Sequence, residues 1–367
     1  MNICYISNSA TPSSNASSLQ IAKLCEFISK EGHDVKLVLP NTGLKKNFYN
    51  FYNIKKKYEL KRLRYFKTFP KGLNYYLFSV IAILSSNFFK QDLYITRNFF
   101  TSFLLSILNK NHILEIHDDI SIEGRIIKIL VKYFRILNYK SLIKIVVTTK
   151  TLKKKYIKHG VSKKKIKVLH NASSFKSKFQ RITRNKKCLK IGYFGAIYNS
   201  RGINLIIELS SLDKKNKYYV YGGTFQQIKE IKNNIKNKNI YFYPYIPYSK
   251  VEKKINQIDV CILPYTSKIT VSGNVGDISR FTSPLKIFDY MKLGKIIISS
   301  NLPVLNEILI NGYNSILIQN YENKKEWYNQ IISINGNVKK FDKIRKNAFN
   351  YAKKFDLKWR VKELLAF

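Results

Sequence analysis

Residues 280–303 read RFTSPLKIFDYMKLGKIIISSNLP, and this stretch decides how the C-terminal half of the chain is interpreted. The Ser283-Pro284 pair predicts a helix start, with the serine as N-cap and the proline at the first helical position. The helix is expected to end near Leu293, because Gly294 follows and suits a helix C-terminus. The apolar run after the glycine predicts a buried strand. The stretch therefore predicts a helix followed by a strand of an α/β sheet.

The start of this predicted helix has the chemistry of an anion site. The first amides, on Leu285, Lys286 and Ile287, have no acceptor within the helix, and the helix dipole and the lysine ammonium both favour a phosphate. Asp289 lies five residues after Pro284, a rise of roughly 7 Å at about 1.5 Å per residue. That rise matches the step from the diphosphate of a nucleotide to its ribose, whose hydroxyls a carboxylate can accept. The alternative is an exposed Asp289 without a ligand.

Length and composition predict a globular protein of two domains. The chain has 367 residues, of which 45% are hydrophobic and 24% charged. Its 66 Lys and Arg against 22 Asp and Glu give a net charge of +44, which predicts attraction to nucleic acid, anionic lipid or phosphorylated substrates. Lysine, asparagine, isoleucine and tyrosine are abundant along the whole chain, so part of this charge reflects compositional bias.

The four cysteines predict neither a metal site nor a disulfide framework. Cys4, Cys25, Cys188 and Cys261 are far apart and have no histidine cluster nearby, so we expect no metal ligand and four small buried side chains. The N-terminus MNICYISNSA is interpreted as a strand without a basic leader, which predicts a cytoplasmic protein.

Two stretches raise the question of a membrane. Residues 73–89, LNYYLFSVIAILSSNFF, are shorter than the ~20 apolar residues of a spanning helix and predict a buried helix instead. Residues 45–71 mix lysines and arginines with eight aromatic residues, a composition typical of a surface that lies on anionic lipid. A solvated basic face is the alternative for this second stretch.

The order of predicted elements indicates two similar α/β units. Strand, helix and strand are predicted within the first 40 residues, and further short apolar runs alternate with helical stretches up to about residue 180. A basic linker follows at 175–187, and the pattern starts again at Cys188. We therefore expect mostly parallel sheets with helices on both faces, in domains 1–180 and 187–345, with a helical tail at 346–367 that could pack on either domain.

Five stretches together resemble one family. SPLKIFDYMKLGKIIISSNLPVLNEIL, residues 283–309, is similar to the nucleotide-sugar-binding segment of retaining glycosyltransferases that have two Rossmann-like domains. The other four stretches follow in the family's order: SNSATPSSNASSLQIAKLCEFISKEGHDVKLVLP at 7–40, ILEIHDD at 113–119, IVVTTKTLKKKYIKHGVSKKKIKVLHNAS at 145–173 and IGYFGAIYNSRGINLIIEL at 191–209. The resemblance implies the GT-B architecture, an α/β fold in which two Rossmann-like domains face each other across a cleft.

The resemblance also implies the site residues. It implies catalytic roles for three residues: His117, Arg201 and Lys286. It implies donor binding by six: Asp289, Ser283, Pro284, Leu285, Gly195 and Asn171. It implies an acceptor loop containing Ser9, Thr11, Ser14 and Asn15. His117 would bond a sugar hydroxyl or help neutralise the transition state, with Asp118 expected as the partner of its ring. The position of His117 at the end of a predicted strand supports a site, because ligands of α/β sheets gather there.

Three positions depart from the family's pattern. Phe281 stands where the family commonly has the first of two glutamates, so a carboxylate contact to the donor sugar is missing. Ala196 replaces a phosphate-binding cation, which leaves Arg201, helped by Lys286, to hold the diphosphate. Asn171-Ala172 replaces an Asn-Gly turn. The alternative for Arg201 is a surface arginine that solvates the turn before Gly202.

The implied function is transfer of a sugar, with retention, from a UDP- or GDP-sugar to a cell-surface glycan or lipid-linked acceptor. The resemblance implies no cofactor and no metal, because cations and helix-end amides stabilise the leaving diphosphate. The expected location is cytoplasmic and peripheral on the anionic inner membrane. A nucleotide-sugar epimerase of the same fold is the first alternative. A nucleic-acid-binding protein is the second, but the basic residues are dispersed over both halves.

Overall fold

The computed structural model describes residues 1–41, 46–64, 71–86, 90–182, 185–270 and 277–367. The chain divides into two compact units, each formed around its own sheet. The first unit comprises residues 1–170 and 357–367, and the second comprises residues 171–356. The predicted stretches 45–71, 73–89 and 175–187 extend in part outside the described residues, at 45, 65–70, 87–89 and 183–184.

The first unit contains a sheet of seven parallel strands among the described residues, in the order β3-β2-β1-β4-β5-β6-β7. The strands are β1 Asn2–Ile6, β2 Asp34–Asn41, β3 Glu59–Arg64, β4 Leu93–Thr96, β5 His112–Ile116, β6 Leu142–Val147 and β7 Ile166–Val168. Its helices are α1 Ala16–Lys30, α2 Phe48–Phe51, α3 Lys71–Leu84, α4 Phe99–Ile107, α5 Arg125–Lys132, α6 Lys150–Lys158 and α13 Leu357–Leu365. The predicted opening of strand, helix and strand is confirmed.

Strand register brings three loops of the first unit to one edge of the sheet. Ile6 of β1 pairs with Thr96 of β4, and Thr96 in turn pairs with Leu114 of β5. Because all three strands are parallel, the loops that follow them emerge side by side. These loops carry the predicted acceptor residues after β1 and the predicted histidine after β5.

The second unit contains six parallel strands among its described residues, in the order β10-β9-β8-β11-β12-β13. The strands are β8 Lys190–Phe194, β9 Lys217–Tyr221, β10 Ile240–Tyr243, β11 Val260–Leu263, β12 Ile296–Ser300 and β13 Ile316–Ile318. The helices are α7 Ile203–Leu212, α8 Phe225–Asn233, α9 Tyr248–Asn256, α10 Leu285–Lys292, α11 Lys324–Ile334 and α12 Asp342–Tyr351. The prediction of two α/β units, each with a parallel sheet, is thus confirmed.

Alternating side chains of the second sheet enter two different cores. Ile296 and Ile298 of β12 belong to one apolar cluster, whereas Ile297 between them belongs to the other. The first cluster also contains Trp327 of α11, and the second contains Phe288 of α10. Strands buried on both faces explain the continuous apolar runs in the sequence.

Three of the predicted lipid-facing aromatics of 45–71 are core residues. Phe48, Tyr52 and Tyr58 are buried inside the first unit, and β3 forms part of this stretch as a strand beside β2. Those three rings are therefore not available to a lipid surface, which corrects the basis of that prediction. Tyr65 and Phe66 lie outside the described residues.

Helix α3 covers most of the stretch at 73–89. It buries Phe78, Ala82 and Ile83 against the sheet but leaves Leu73, Val80 and Leu84 exposed, so it is a helix with one buried face and not the wholly buried helix that was predicted. Within the described ranges, no helix is both long and apolar enough to cross a membrane.

The predicted C-terminal tail divides between the two units. Helix α12 packs on α10 in the second unit, whereas α13 packs on α1 in the first. Arg360 of α13 donates hydrogen bonds to the carbonyl oxygens of Leu169 and His170, the last residues of the first unit before the chain enters the second. Helix α13 therefore closes the first unit at the point where the chain leaves it.

Candidate functional site

Helix α10 begins one residue later than the sequence predicts. Pro284, and not Ser283, occupies the N-cap position, and no side chain caps the helix. The amide of Ile287 donates to the Pro284 carbonyl at 3.2 Å. The amides of Leu285 and Lys286, which precede it, have no acceptor within the helix. Gly294 ends the helix region in a left-handed conformation, with φ of 57°, as predicted.

Two cations of the second unit lie around one tyrosine ring. The ammonium of Lys286 is 3.9 Å from the ring centroid of Tyr193 and 5.4 Å from that of Tyr265. The guanidinium of Arg201 is 5.3 Å from the same Tyr265 ring and donates a hydrogen bond of 2.8 Å to the Thr270 carbonyl. The structure thus brings together the two cations that were predicted to share a diphosphate.

The electrostatics of this pair favour an anion. Burial, and then the Arg201 guanidinium, lowers the pKa of Lys286 well below its usual range. Neither cation forms an ion pair with a carboxylate of the described residues. Both side chains are half-buried, and a positive charge that is partly removed from water without a counter-ion is costly, so a bound phosphate would stabilise both groups.

Glycines make room for the two cations. A Cβ on Gly195, which follows β8, would lie 2.4 Å from Nζ of Lys286. Gly202, next to Arg201, has φ of 77°, and a Cβ there would lie 1.7 Å from the Pro264 carbonyl oxygen. Both glycines have positive φ; a side chain at 195 would displace the Lys286 ammonium, and one at 202 would collide with the backbone of Pro264.

Asp289 is buried on α10 and is held by two hydroxyl groups. Its Oδ1 accepts hydrogen bonds from Ser173 at 2.6 Å and from Tyr248 at 3.4 Å. Burial raises the pKa of Asp289 to about 7, and the charge of Glu252 acts in the same direction. The carboxyl group is therefore poised to change charge near neutral pH.

Unpartnered polar atoms lie at the entrance of α10. Nδ2 of Asn171 donates to the Ser283 carbonyl at 2.5 Å, which brings these two predicted donor-binding residues together. Oδ1 of Asn171 and Oγ of Ser283 are buried and have no hydrogen-bond partner in the described residues. Buried polar atoms are nearly always paired, so these two atoms mark a place for a ligand or water. Phe281, where the family commonly has a glutamate, is buried.

His117 lies directly after β5 in the first unit. Its Nε2 is buried and lacks a partner within the described part of the chain, so this nitrogen does not bond Asp118, the expected partner of the ring. Burial, and then the charge of Arg97, lowers the pKa of His117 well below its usual range. The ring is therefore a neutral imidazole.

A buried charge network underlies His117. Glu115 accepts hydrogen bonds from Tyr5 at 2.6 Å and Arg360 at 2.6 Å, and lies 3.4 Å from Nε of Arg97. Burial alone would raise the pKa of Glu115, but the guanidinium groups of Arg97 and Arg360 outweigh it and lower the pKa to about 2. The two guanidinium groups of the network outnumber its one carboxylate, and Arg97 and Arg360 therefore add to the effect of burial, which is the main cause of the lowered pKa of His117.

The predicted acceptor loop follows β1. Ser9 accepts a hydrogen bond from the Ser7 hydroxyl at 3.2 Å, Thr11 is buried, and Ser14 and Asn15 are exposed. Asn15 occupies the N-cap position of α1 without a side-chain cap. Tyr52 holds this loop: its hydroxyl accepts from the Ser13 amide at 2.8 Å and donates to the Ser13 carbonyl at 3.0 Å.

Several side chains of these sites were not anticipated. Ser173 and Tyr248 hold Asp289, and Arg97, Tyr5 and Arg360 surround Glu115. The signal available for Ser173 was its place directly after the Asn171-Ala172 turn. No group of three or more metal-ligating side chains occurs in the portions of the chain that the structure describes.

Comparison with known proteins identifies a family for the second unit. Residues 174–351 match the family model for glycosyl transferases of group 1. An uncharacterized glycosyltransferase of Methanocaldococcus jannaschii is 27% identical over 217 residues, which cover 56% of this chain and 50% of the relative. The matched segment thus spans half the length of that curated protein.

Two solved structures share the whole fold. Anabaena HepE in complex with UDP and glucose superposes with a TM-score of 0.71 at 13% identity, covering 99% of this chain and 98% of HepE. Sucrose-phosphate synthase from Thermosynechococcus elongatus gives a TM-score of 0.72 at 12% identity, covering 99% of this chain and 97% of the synthase. The chain therefore has the fold of GT-B glycosyltransferases.

Proposed function

We propose that the chain, whose residues 174–351 match the family model for glycosyl transferases of group 1, transfers a sugar from a nucleotide-sugar donor to an acceptor. The observation that carries the proposal is the pair of cations, Lys286 and Arg201, around Tyr265. A nucleoside diphosphate is the leaving group that would supply the counter-charge that this pair lacks in the described residues. The proposed donor is a UDP- or GDP-sugar; HepE, which has the same fold, binds UDP.

The proposed nucleotide position follows α10. The diphosphate lies at the helix start, on the amides of Leu285 and Lys286 and on the two cations. The ribose hydroxyls bind the carboxylate of Asp289, which then exchanges its bonds from Ser173 and Tyr248 for bonds from the ligand. The unpartnered oxygens of Asn171 and Ser283 complete the polar lining.

The proposed reaction retains the configuration of the sugar. The bond between the anomeric carbon and the phosphate oxygen breaks, and a bond from the acceptor oxygen to the anomeric carbon forms on the same face. The acceptor proton passes to the leaving phosphate oxygen, so the reaction needs no protein nucleophile. Lys286 and Arg201 stabilise the charge that grows on the diphosphate. His117, as a neutral imidazole, hydrogen-bonds a hydroxyl of the donor sugar.

The proposed acceptor is a cell-surface glycan or a lipid-linked sugar. The loop that contains Ser9, Thr11, Ser14 and Asn15 presents hydroxyl and amide groups, which suit recognition of sugar hydroxyls. Because such acceptors are assembled at the membrane, we propose that the enzyme acts on the cytoplasmic side of an anionic membrane.

A panel of nucleotide sugars tests this function. The purified protein is incubated with UDP- and GDP-sugars, with and without candidate acceptors, and release of nucleoside diphosphate is measured. We expect release with one donor class, unchanged by EDTA, and NMR of the product should show the anomeric configuration of the donor. Lys286→Met should reduce release at least tenfold, whereas Lys229→Met, an exposed lysine of α8, should not. A changed sugar configuration without diphosphate release would indicate the epimerase and contradict the proposal.

A further inference from the structure

One short segment of the first unit exposes an unusual number of large apolar side chains. Five of them lie within residues 122–134, with relative exposures of 47% for Ile122, 51% for Ile126, 47% for Ile129, 69% for Tyr133 and 56% for Phe134. Elsewhere in the described residues, no stretch of this length exposes more than three. Contiguous exposed apolar surface on a soluble domain marks an interaction site.

Helix α5, in the middle of this segment, has three distinct faces. At about 100° per residue, one face is apolar and buried against the unit, a second is apolar and exposed, and a third is basic. The buried face contains Ile127, Leu130 and Val131. The exposed apolar face contains Ile126, Ile129 and Tyr133. The basic face, which borders it, contains Arg125, Lys128 and Lys132. Packing on the protein thus uses one face and leaves two adjacent faces to solvent.

The charge of the segment identifies the partner. Four exposed cations, at 125, 128, 132 and 135, accompany the five apolar side chains, and Glu123 is the single acid between residues 122 and 135. A second copy of the chain would bring two basic faces together, which is unfavourable for a symmetric dimer. An apolar face beside a basic face matches a lipid surface, with apolar side chains at the acyl boundary and cations on anionic headgroups.

We propose that residues 122–135, called here the α5 face, bind the surface of a bilayer that contains anionic lipid. Tyr133 and Phe134 suit the interface between headgroups and acyl chains, where aromatic rings are favoured. The ammonium of Lys132 lies 5.1 Å from the Tyr133 ring, so the basic and apolar groups act at the same place. The α5 face begins five residues after His117, so lipid binding brings this end of the first unit's sheet to the membrane. The interaction does not depend on glycosyl transfer.

Vesicle co-sedimentation tests the electrostatic part. Vesicles of phosphatidylcholine with a quarter phosphatidylglycerol are compared with pure phosphatidylcholine, at low and high salt. Lys128→Gln with Lys132→Gln should weaken binding to the anionic vesicles about 30-fold, from roughly 1 kcal/mol per basic residue near the surface. The matched control is Lys229→Gln with Lys232→Gln on the exposed face of α8 in the second unit, which should change binding less than threefold. Equal losses in both pairs would mean adsorption through the general charge and overturn the proposal.

Insertion of the apolar residues is tested separately. Ile126→Ser with Ile129→Ser should reduce vesicle binding at least tenfold, whereas Phe225→Ser with Leu212→Ser, exposed apolar residues of the second unit, should leave it unchanged. For a direct readout, Ile129→Cys and Phe225→Cys are each labelled with an environment-sensitive dye in a Cys188→Ser background, because Cys188 is the exposed natural cysteine. Only the label at 129 should shift to the blue with anionic vesicles. A label at 129 that stays in water would overturn the proposal. The proposal would also fail if the wild type were a dimer without lipid and Ile126→Ser with Ile129→Ser made it a monomer, because the face would then bind a second copy of the chain. Donor turnover without acceptor should be unchanged in these variants, which separates failure of this proposal from failure of the enzymatic one.

Discussion

Nucleotide-sugar binding should strengthen as the pH rises through neutrality, because Asp289 must be ionised to accept the ribose hydroxyls. Burial raises its pKa to about 7 in the free protein, so the ionised fraction is about one-tenth at pH 6 and about nine-tenths at pH 8. The apparent dissociation constant scales inversely with the competent fraction, which gives about tenfold tighter binding at pH 8, or about 1.4 kcal/mol. Glu252, Ser173 and Tyr248 are the polar groups that face the carboxyl group.

Calorimetric titration with the nucleotide sugar that supports turnover measures this effect. A nucleotide sugar is preferred to the free diphosphate, because its phosphates are esterified at both ends and keep a constant charge between pH 6 and 8. Asp289→Asn should bind weakly at every pH, whereas Glu230→Gln, an exposed acid of α8, should retain the wild-type dependence. Deprotonation of Lys286 at higher pH would weaken nucleotide-sugar binding. Both variants retain this lysine, so its effect is the same in each. The assignment of Asp289 to the ribose would be refuted if the dissociation constant of the wild type did not change with pH. It would also be refuted if the dissociation constant of Asp289→Asn changed with pH as that of the wild type does.

The stability of the free protein should change in the opposite direction. The folded state holds the Asp289 proton more tightly than the unfolded chain does, so folding takes up a proton between about pH 4 and pH 7. Stability from this group is therefore present below pH 4, decreases as the pH rises to about 7, and is constant above. The melting temperature of the wild type should therefore fall relative to that of Asp289→Asn as the pH rises from about 4 to about 7.

Two further variants test the cation pair and the buried network. Arg201→Ala should lower turnover more than it raises the donor Michaelis constant, because the diphosphate gains charge in the transition state. Arg181→Ala, at an exposed arginine, is the control. Normal turnover of Arg201→Ala at saturating donor would make Arg201 a surface residue. Arg360→Met should destabilise the first unit by about 3–5 kcal/mol in urea unfolding, because Glu115 loses one of its two guanidinium partners, and adding Glu115→Gln should recover part of the loss; an unchanged midpoint would contradict the role of the network.

The sequence predicted the strands of both sheets well, because strands buried on both faces are short apolar runs. It missed β3, whose exposed lysines and arginines conceal an edge strand beside β2. Local signals also fixed the helix at 285–292, although the cap lies at Pro284 and leaves the Ser283 hydroxyl without a partner in the described residues. Cys188, expected to be buried, is exposed directly before β8.

Contacts between distant residues could not be predicted. Arg360 and Glu115 are separated by 245 positions, and nothing local to either residue indicates the other. Tyr248 similarly reaches Asp289 from the start of a different helix. The α5 face was missed for another reason: its exposed isoleucines have the composition of a core helix, and only the structure shows that they are not covered.

The return of the chain to the first unit affects how the protein is made. Residues 357–367 complete that unit, yet the ribosome adds them only after all of 171–356. At about 5–20 residues per second, this interval lasts roughly 10–40 s. During this interval, Glu115 has no Arg360 to pair with. The carbonyl oxygens of Leu169 and His170 likewise lack the hydrogen bonds that Arg360 donates. The first unit therefore stays incomplete until the second has been synthesised, although most of its own sequence comes earlier.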